Sequence, residues 1–261
     1  MPVLTRTVRA ALLAALVVCA APISALAQAP AAASAPPPVS AFYSNVALGG
    51  AKLSPDASHL AARSSTKGQR DFLVVVDLQN NSGKIVASYN DADVGDFEWV
   101  NNERLIFNTR DRNVGLGDTS KAPGLYAVDR DGAQFVQLAE RTGGGIVTGS
   151  SKGRRLLPWN TFMLGQHGAQ DSDHVYVASP VLDMKREVRY VNLLRLNTRT
   201  GLTQAVPRPG NAKGWLLDHK GEPRLASTSE DGRITLHYRE PVDGSWRELA
   251  SYAIFGNDQN A

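Results

Sequence analysis

Hydrophobic and polar positions alternate along most of this chain, and the alternation comes in a unit that recurs four times. The stretch LVVVDLQNNSGKIVAS begins at Leu73, GLYAVDRDGAQFVQLAE at Gly124, LLRLNTRTGLTQAV at Leu193 and TLHYREPVDGSWRELA at Thr235. Each is an apolar or alternating run, a short polar turn carrying Gly, and a second alternating run. Side chains that change face every residue belong to strands, and Gly supplies the positive φ of a tight turn, so each stretch predicts a β-hairpin. A looser hairpin precedes each one: AKLSPDASHLAAR turning at Pro55-Asp56, FEWVNNERLIFNT at Asn101-Asn102, FMLGQHGAQDSDHVYVAS, and GWLLDHKGEPRLAST at Lys220-Gly221.

Two hairpins per unit give four strands per unit. Asp77, Asp129, Asn197 and Arg239 stand at the same point in successive units, 52, 68 and 42 residues apart. Four-stranded repeats of that length predict an all-β propeller of about four blades, the third with an insertion. An ordinary β-sandwich, whose strands also recur regularly, is the alternative. One stretch reads two ways. In SPVLDMKREVRYVNLL, Pro180 can open a helix with Val181, Leu182, Val188 and Leu193 on one face, while the charges alternating with Val188, Tyr190 and Leu194 suit an extended crossing. ERTGGGIVTGSSKGRRLLPW, with Gly143, Gly144, Gly145, Gly149 and Gly153, reads as a loop between the second and third units.

Composition adjusts this picture modestly. With 43% hydrophobic and 20% charged residues the chain is ordinary for a globular protein. Arg6 and Arg9, the apolar AALLAALVVCAAPISALA and the ending Ala25-Leu26-Ala27 form a secretory leader over residues 1–27. Residues 28–41, rich in Ala and Pro, read as a linker, which leaves 42–261 for the blades, with order expected from near Phe42. Pro22 interrupts the apolar run, so no membrane span is expected once the leader is cleaved. Cys19 lies within it; a lipobox reading of Leu16-Val17-Val18-Cys19 is the alternative, although Val18 is bulky where that pattern wants a small residue. Past the leader, 26 basic side chains face 25 acidic ones, and no basic run with interleaved aromatics marks a nucleic-acid partner. The expected localisation is periplasmic or secreted.

Candidate chemistry is sparse. Gly149-Ser150-Ser151-Lys152-Gly153 fits G-x-S-x-G, the turn that lifts a nucleophilic serine between a strand and a helix. Here Pro158 stops a following helix after one turn, so Ser151 is not assigned as a nucleophile. His167, His174, His219 and His237 lack zinc spacing and, past Cys19, have no cysteine partner. Asp171 and Asp173 beside His174 suit turn chemistry, and the loop holding Asp111, Arg112 and Asp118 lacks a calcium-loop pattern. No catalytic, cofactor or metal residue is expected. Trp99, Trp159, Trp215 and Trp246 fall one per unit; Trp99 and Trp215 begin inner strands, where they suit packing between sheets better than an aromatic binding face. Arg186, Arg189, Arg195 and Arg199 form a cationic group in the third unit, suited to a solvated edge or an acidic partner surface.

Taken together, ALGGAKLSPDASHLAAR, FEWVNNERLIFN, GLYAVDRDGAQFVQLAE and GWLLDHKGEPRLAST resemble the N-terminal β-propeller of secreted bacterial serine peptidases of the prolyl oligopeptidase family. The likeness runs over about residues 42–255. It implies a non-catalytic propeller of about seven blades that covers the active site of an α/β-hydrolase domain and admits short peptides. Four units then make an incomplete propeller whose last sheet is uncovered. Nothing in the chain matches the hydrolase domain, so no family catalytic residue is carried over. The implied partners are such a catalytic domain or a peptide substrate. A free-standing periplasmic propeller that closes at four blades and binds or scaffolds is the second reading.

Overall fold

Strand formation follows the alternating runs closely. The computed structural model describes residues 48–66, 69–115, 121–141, 156–165 and 168–255. The leader, the linker, the onset near Phe42, the Gly-rich loop with Ser151, His167 and Asp118 all lie outside the described residues. Sixteen strands form four antiparallel sheets, with no helix among the described residues. The first sheet takes β1 (Leu48–Leu53), β2 (His59–Ser64), β3 (Phe72–Asp77) and β4 (Ser82–Ala87). The second takes β5 (Asp93–Asn101), β6 (Arg104–Arg110), β7 (Leu125–Asp129) and β8 (Val136–Ala139). The third takes β9 (Phe162–Met163), β10 (His174–Leu182), β11 (Val188–Asn197) and β12 (Thr203–Ala205). The fourth takes β13 (Ala212–Leu217), β14 (Pro223–Glu230), β15 (Arg233–Arg239) and β16 (Trp246–Ala253). Every sheet is a meander of four consecutive strands, with none borrowed from another part of the chain.

The turns are set by side chains that satisfy their own backbone. Asp77, closing β3, accepts the N–H groups of Gln79 and Asn80 at 2.9 and 3.0 Å. Asn197, closing β11, does the same for Arg199 and Thr200 at 3.0 and 2.9 Å. Asp129 and Arg239 are the last residues of β7 and β15, so the four marker residues all end third strands. The β5–β6 turn is centred on Asn102-Glu103, one residue later than expected, because Asn101 pairs with Arg104 and its Oδ1 accepts the Glu103 N–H. The helix alternative over SPVLDMKREVRYVNLL is not what forms. Asp183 Oδ1 accepts N–H groups from Lys185 and Glu187, Arg186 sits at φ 64°, and the chain reverses from β10 into β11. The β-branched Val175, Val177, Val188 and Val191 suit these strands.

Sheets pack face to face in chain order. Ala61, Leu73 and Val75 of the first meet Phe97, Leu105, Phe107 and Val128 of the second. From the opposite face of the second, Ile106, Ala127 and Leu138 meet Val175, Val177 and Leu196 of the third. β6 therefore buries adjacent residues on both faces, as sheets covered on two sides do. Trp99 on β5 donates through Nε1 to the Lys52 carbonyl of β1 at 2.9 Å, and Trp215 on β13 donates to the Val191 carbonyl of β11 at 2.8 Å. Both tie one sheet to its predecessor. The tryptophans are not one per sheet: Trp215 and Trp246 both belong to the fourth, and the first has none.

A polar network joins the second and third sheets at their hairpin ends. Arg104 is completely buried and donates to Asp129 Oδ1 (2.6 Å), the Thr198 carbonyl (2.8 Å), Thr198 Oγ1 (3.0 Å) and the Gln134 carbonyl (3.2 Å). Arg199 bridges Asp129 and Asp173 at 3.2 and 2.9 Å. The sheets do not close into a ring. The outer face of the first sheet carries Leu53, Val76 and Ile85, with Leu53 and Ile85 over half exposed. The outer face of the fourth carries Leu216, Leu225, Leu236 and Tyr252, with Leu216 62% exposed.

Candidate functional site: a cleft where the first strands converge

β1, β5 and β9, the first strands of three successive sheets, line one cleft of about 450 Å³. Innermost strands around a central channel are the geometry of a propeller. A local irregularity in β5 shapes the wall. Its pairing with β6 shifts between Val94 and Phe97, and Asn108 Oδ1 accepts the freed Asp96 N–H at 2.8 Å. A Cβ on Gly95 would meet that oxygen at 2.1 Å, so any other residue there must displace the Asn108 side chain. The bulge leaves Asp96 exposed at the cleft, which is how bulges commonly re-aim side chains.

The lining carries both charges. Lys52 pairs with Glu98, and its Nζ lies 6.0 Å over the Phe97 ring. Arg63 donates to the Gly95 carbonyl at 3.0 Å and lies 3.6 Å from Asp71. Burial, then the nearby Arg110, lowers the Arg63 pKa against the pull of Asp71 and Asp96. Phe162, 42% exposed, and Met163 add apolar surface on the third side.

Arg63 links the cleft to a dense ionic cluster between the first two sheets. Asp71 is nearly buried and faces Arg112 at 3.0 Å and Arg110 at 3.1 Å. Asp93 is fully buried and accepts from Arg70 (3.0 Å), Arg112 Nε (3.2 Å) and the N–H groups of Asp71 (2.9 Å) and Arg112 (3.0 Å). Burial alone would raise the Asp93 pKa. Those backbone N–H groups and the two guanidiniums outweigh it, so the carboxyl titrates below its usual range. Asp111 pairs with Arg70 at 2.6 Å.

Among the described residues, the cleft lining holds two carboxylates, two cations, an amide and apolar groups, with no hydroxyl, thiol or imidazole side chain. The residues singled out from sequence scatter elsewhere. His174 Nε2 lies 3.4 Å from Asn197 Nδ2, His237 Nε2 is 3.1 Å from Thr228 Oγ1, and His219 sits on an exposed turn. Asp173 is an ion-pair partner of Arg199. Asp111 and Arg112 form part of the ionic cluster, and Trp159 is partly exposed away from the cleft lining. Lys52, Arg63, Asp71, Asp93 and Glu98 escape a reading by motif, because their partners lie on different strands. The one signal was position: Asp71 and Asp93 directly abut apolar strand runs.

No family model matches the chain, and no curated protein matches it by sequence. Among solved structures, a prolyl endopeptidase superposes with a TM-score of 0.51 over 81% of this chain, at 10% identity. TolB from Acinetobacter baumannii gives 0.44 over 77%, at 13% identity. Pyrococcus horikoshii acylaminoacyl peptidase gives 0.39 over 79%, at 15% identity. The chain spans 30% of the endopeptidase, 43% of TolB and 39% of the acylaminoacyl peptidase. The endopeptidase superposition establishes a shared fold, that of a β-propeller region with an open ring.

Proposed function

We propose that this chain is a non-catalytic propeller region of a prolyl oligopeptidase-type serine peptidase, exported by its leader to the periplasm or beyond. In this reading an α/β-hydrolase domain performs the cleavage, and the propeller admits short peptides to it. The observation that carries the reading is the cleft between β1, β5 and β9. It presents edge-strand backbone, both charge signs and exposed apolar side chains, which together suit an extended peptide. The apolar outer faces of the first and fourth sheets suit completion of the ring by further blades, since apolar sheet faces rarely remain open to water.

An immunoblot of the native gene product, raised against residues of β1–β16, tests this. A band far larger than 28.0 kDa is expected. A band at the mature size of this chain would favour a free-standing periplasmic binding or scaffold propeller instead. Labelling of the purified chain by a fluorophosphonate, lost in Ser151→Ala, would sink the non-catalytic reading.

A further inference from the structure

Equivalent layers of the sheets expose one departure from the propeller pattern. Two residues before the end of each third strand stand Val75, Ala127 and Arg195, in the first three sheets. Their partners on the second strands are Ala61, Ile106 and Tyr176. In the first two sheets this layer is a buried aliphatic pair packed on the next sheet. In the third sheet it is Tyr176 and Arg195. Val175, Val177 and Leu196 point to the second sheet, so by alternation Tyr176 and Arg195 face the fourth.

Arg195 is half-buried there, and its guanidinium makes no hydrogen bond or ion pair among the described residues. A guanidinium removed from water without an acceptor is costly. The two sheets therefore leave a polar cleft of about 300 Å³ at this layer instead of an apolar contact. Its wall is completed by Lys220 and Glu222 from the β13–β14 turn and by Asp171. Neither Lys220 Nζ nor the Asp171 carboxylate has an ion-pair partner among the described residues, whereas Glu222 accepts the Tyr176 hydroxyl at 3.2 Å. The pocket walls are held together at Gly168, whose absent Cβ would lie 2.2 Å from the Lys220 carbonyl. The cavity is at the small end of ligand-binding sites.

We propose that this cleft binds a small zwitterion of the amino-acid or short-peptide class. Arg195 and Lys220 take its carboxylate, in the forked geometry that guanidinium offers, and Glu222 and Asp171 take its ammonium. The site is separate from the cleft of β1, β5 and β9 and does not rest on the peptidase reading.

Titration calorimetry of the purified chain with glycylglycine, acetate and inorganic phosphate tests it. Glycylglycine is expected to bind saturably, with acetate and phosphate at least tenfold weaker. Arg195→Leu places at this layer the aliphatic type that the first two sheets carry, so it is expected to fold and to bind glycylglycine at least tenfold more weakly. Glu222→Gln is expected to weaken glycylglycine but leave acetate unchanged. If Arg195→Leu melts earlier than the parent chain, Arg195→Lys replaces it, with an expected loss of about threefold. Absence of saturable glycylglycine binding, equal binding by the Arg195 variant, or acetate or phosphate binding as tightly as glycylglycine overturns the proposal.

Discussion

Replacing Arg104 by Met tests what holds the second and third sheets together. The side chain is completely buried and makes four hydrogen bonds, two of them to Thr198 on the neighbouring sheet. Removing one partner of a buried ion pair costs about 3–5 kcal/mol, because the other charge stays behind uncompensated. Asp129 keeps Arg199 at 3.2 Å and is 17% exposed, which favours the lower end. Against that, the Thr198 and Gln134 carbonyls lose a donor, at about 1 kcal/mol each. A loss near 5 kcal/mol (about 3 plus about 1 for each carbonyl) is therefore expected for Arg104→Met, read as a lower urea midpoint at constant slope. Arg104→Lys keeps the charge but not the fork, and about 2 kcal/mol is expected for it. The double mutant Arg104→Met, Asp129→Asn should cost clearly less than the two single changes added together, since both act on one network. If Arg104→Met lies within 1 kcal/mol of the parent chain, the network is incidental and aliphatic packing alone joins the sheets.

Asp93 has a depressed pKa in the folded state, so its stabilisation is present above the unfolded value near 4 and is lost as pH falls through the folded one. Urea midpoints of Asp93→Asn should fall less between about pH 4 and 2 than those of the parent chain. Gly95→Ala should cost about 1 kcal/mol in thermal melts, because Cβ displaces Asn108 from the Asp96 N–H; in an Asn108→Ala background, where that bond is already gone, the same change should cost clearly less. Trp99→Phe should lose about 1 kcal/mol in the same melts, since the Lys52 carbonyl loses its donor. Leu216→Glu, on the open outer face, should change stability by less than about 0.5 kcal/mol while lowering self-association in sedimentation runs.

The strands were legible because period-two alternation is local, and the ends of β3 and β11 were legible because Asp77 and Asn197 make turn chemistry visible. SPVLDMKREVRYVNLL was ambiguous by periodicity, and it was decided by Asp183 capping a tight reversal. The binding surfaces were largely illegible. Arg104 meets Thr198 across 94 positions, and Asp93 meets Arg70 only after the first two sheets have packed. Arg195 was visible merely as one member of a cationic group. Its meaning appears when the repeats are aligned on their strand ends, which sets it beside Val75 and Ala127.

Each sheet is made from one uninterrupted stretch of chain, and this bears on how the molecule is built in time. A blade emerging from the ribosome holds all the partners its backbone needs, so its hydrogen bonds need not wait for residues still to be made. Only the sideways junctions are postponed, and each needs just the next blade. Synthesis therefore proceeds as a series of short closures, in which the apolar face at the growing end is covered as its successor appears. The junction lined by Arg104 is sealed only when Thr198 and Arg199 arrive, so a pause in translation before them would leave a buried-type arginine and a bare sheet face in water.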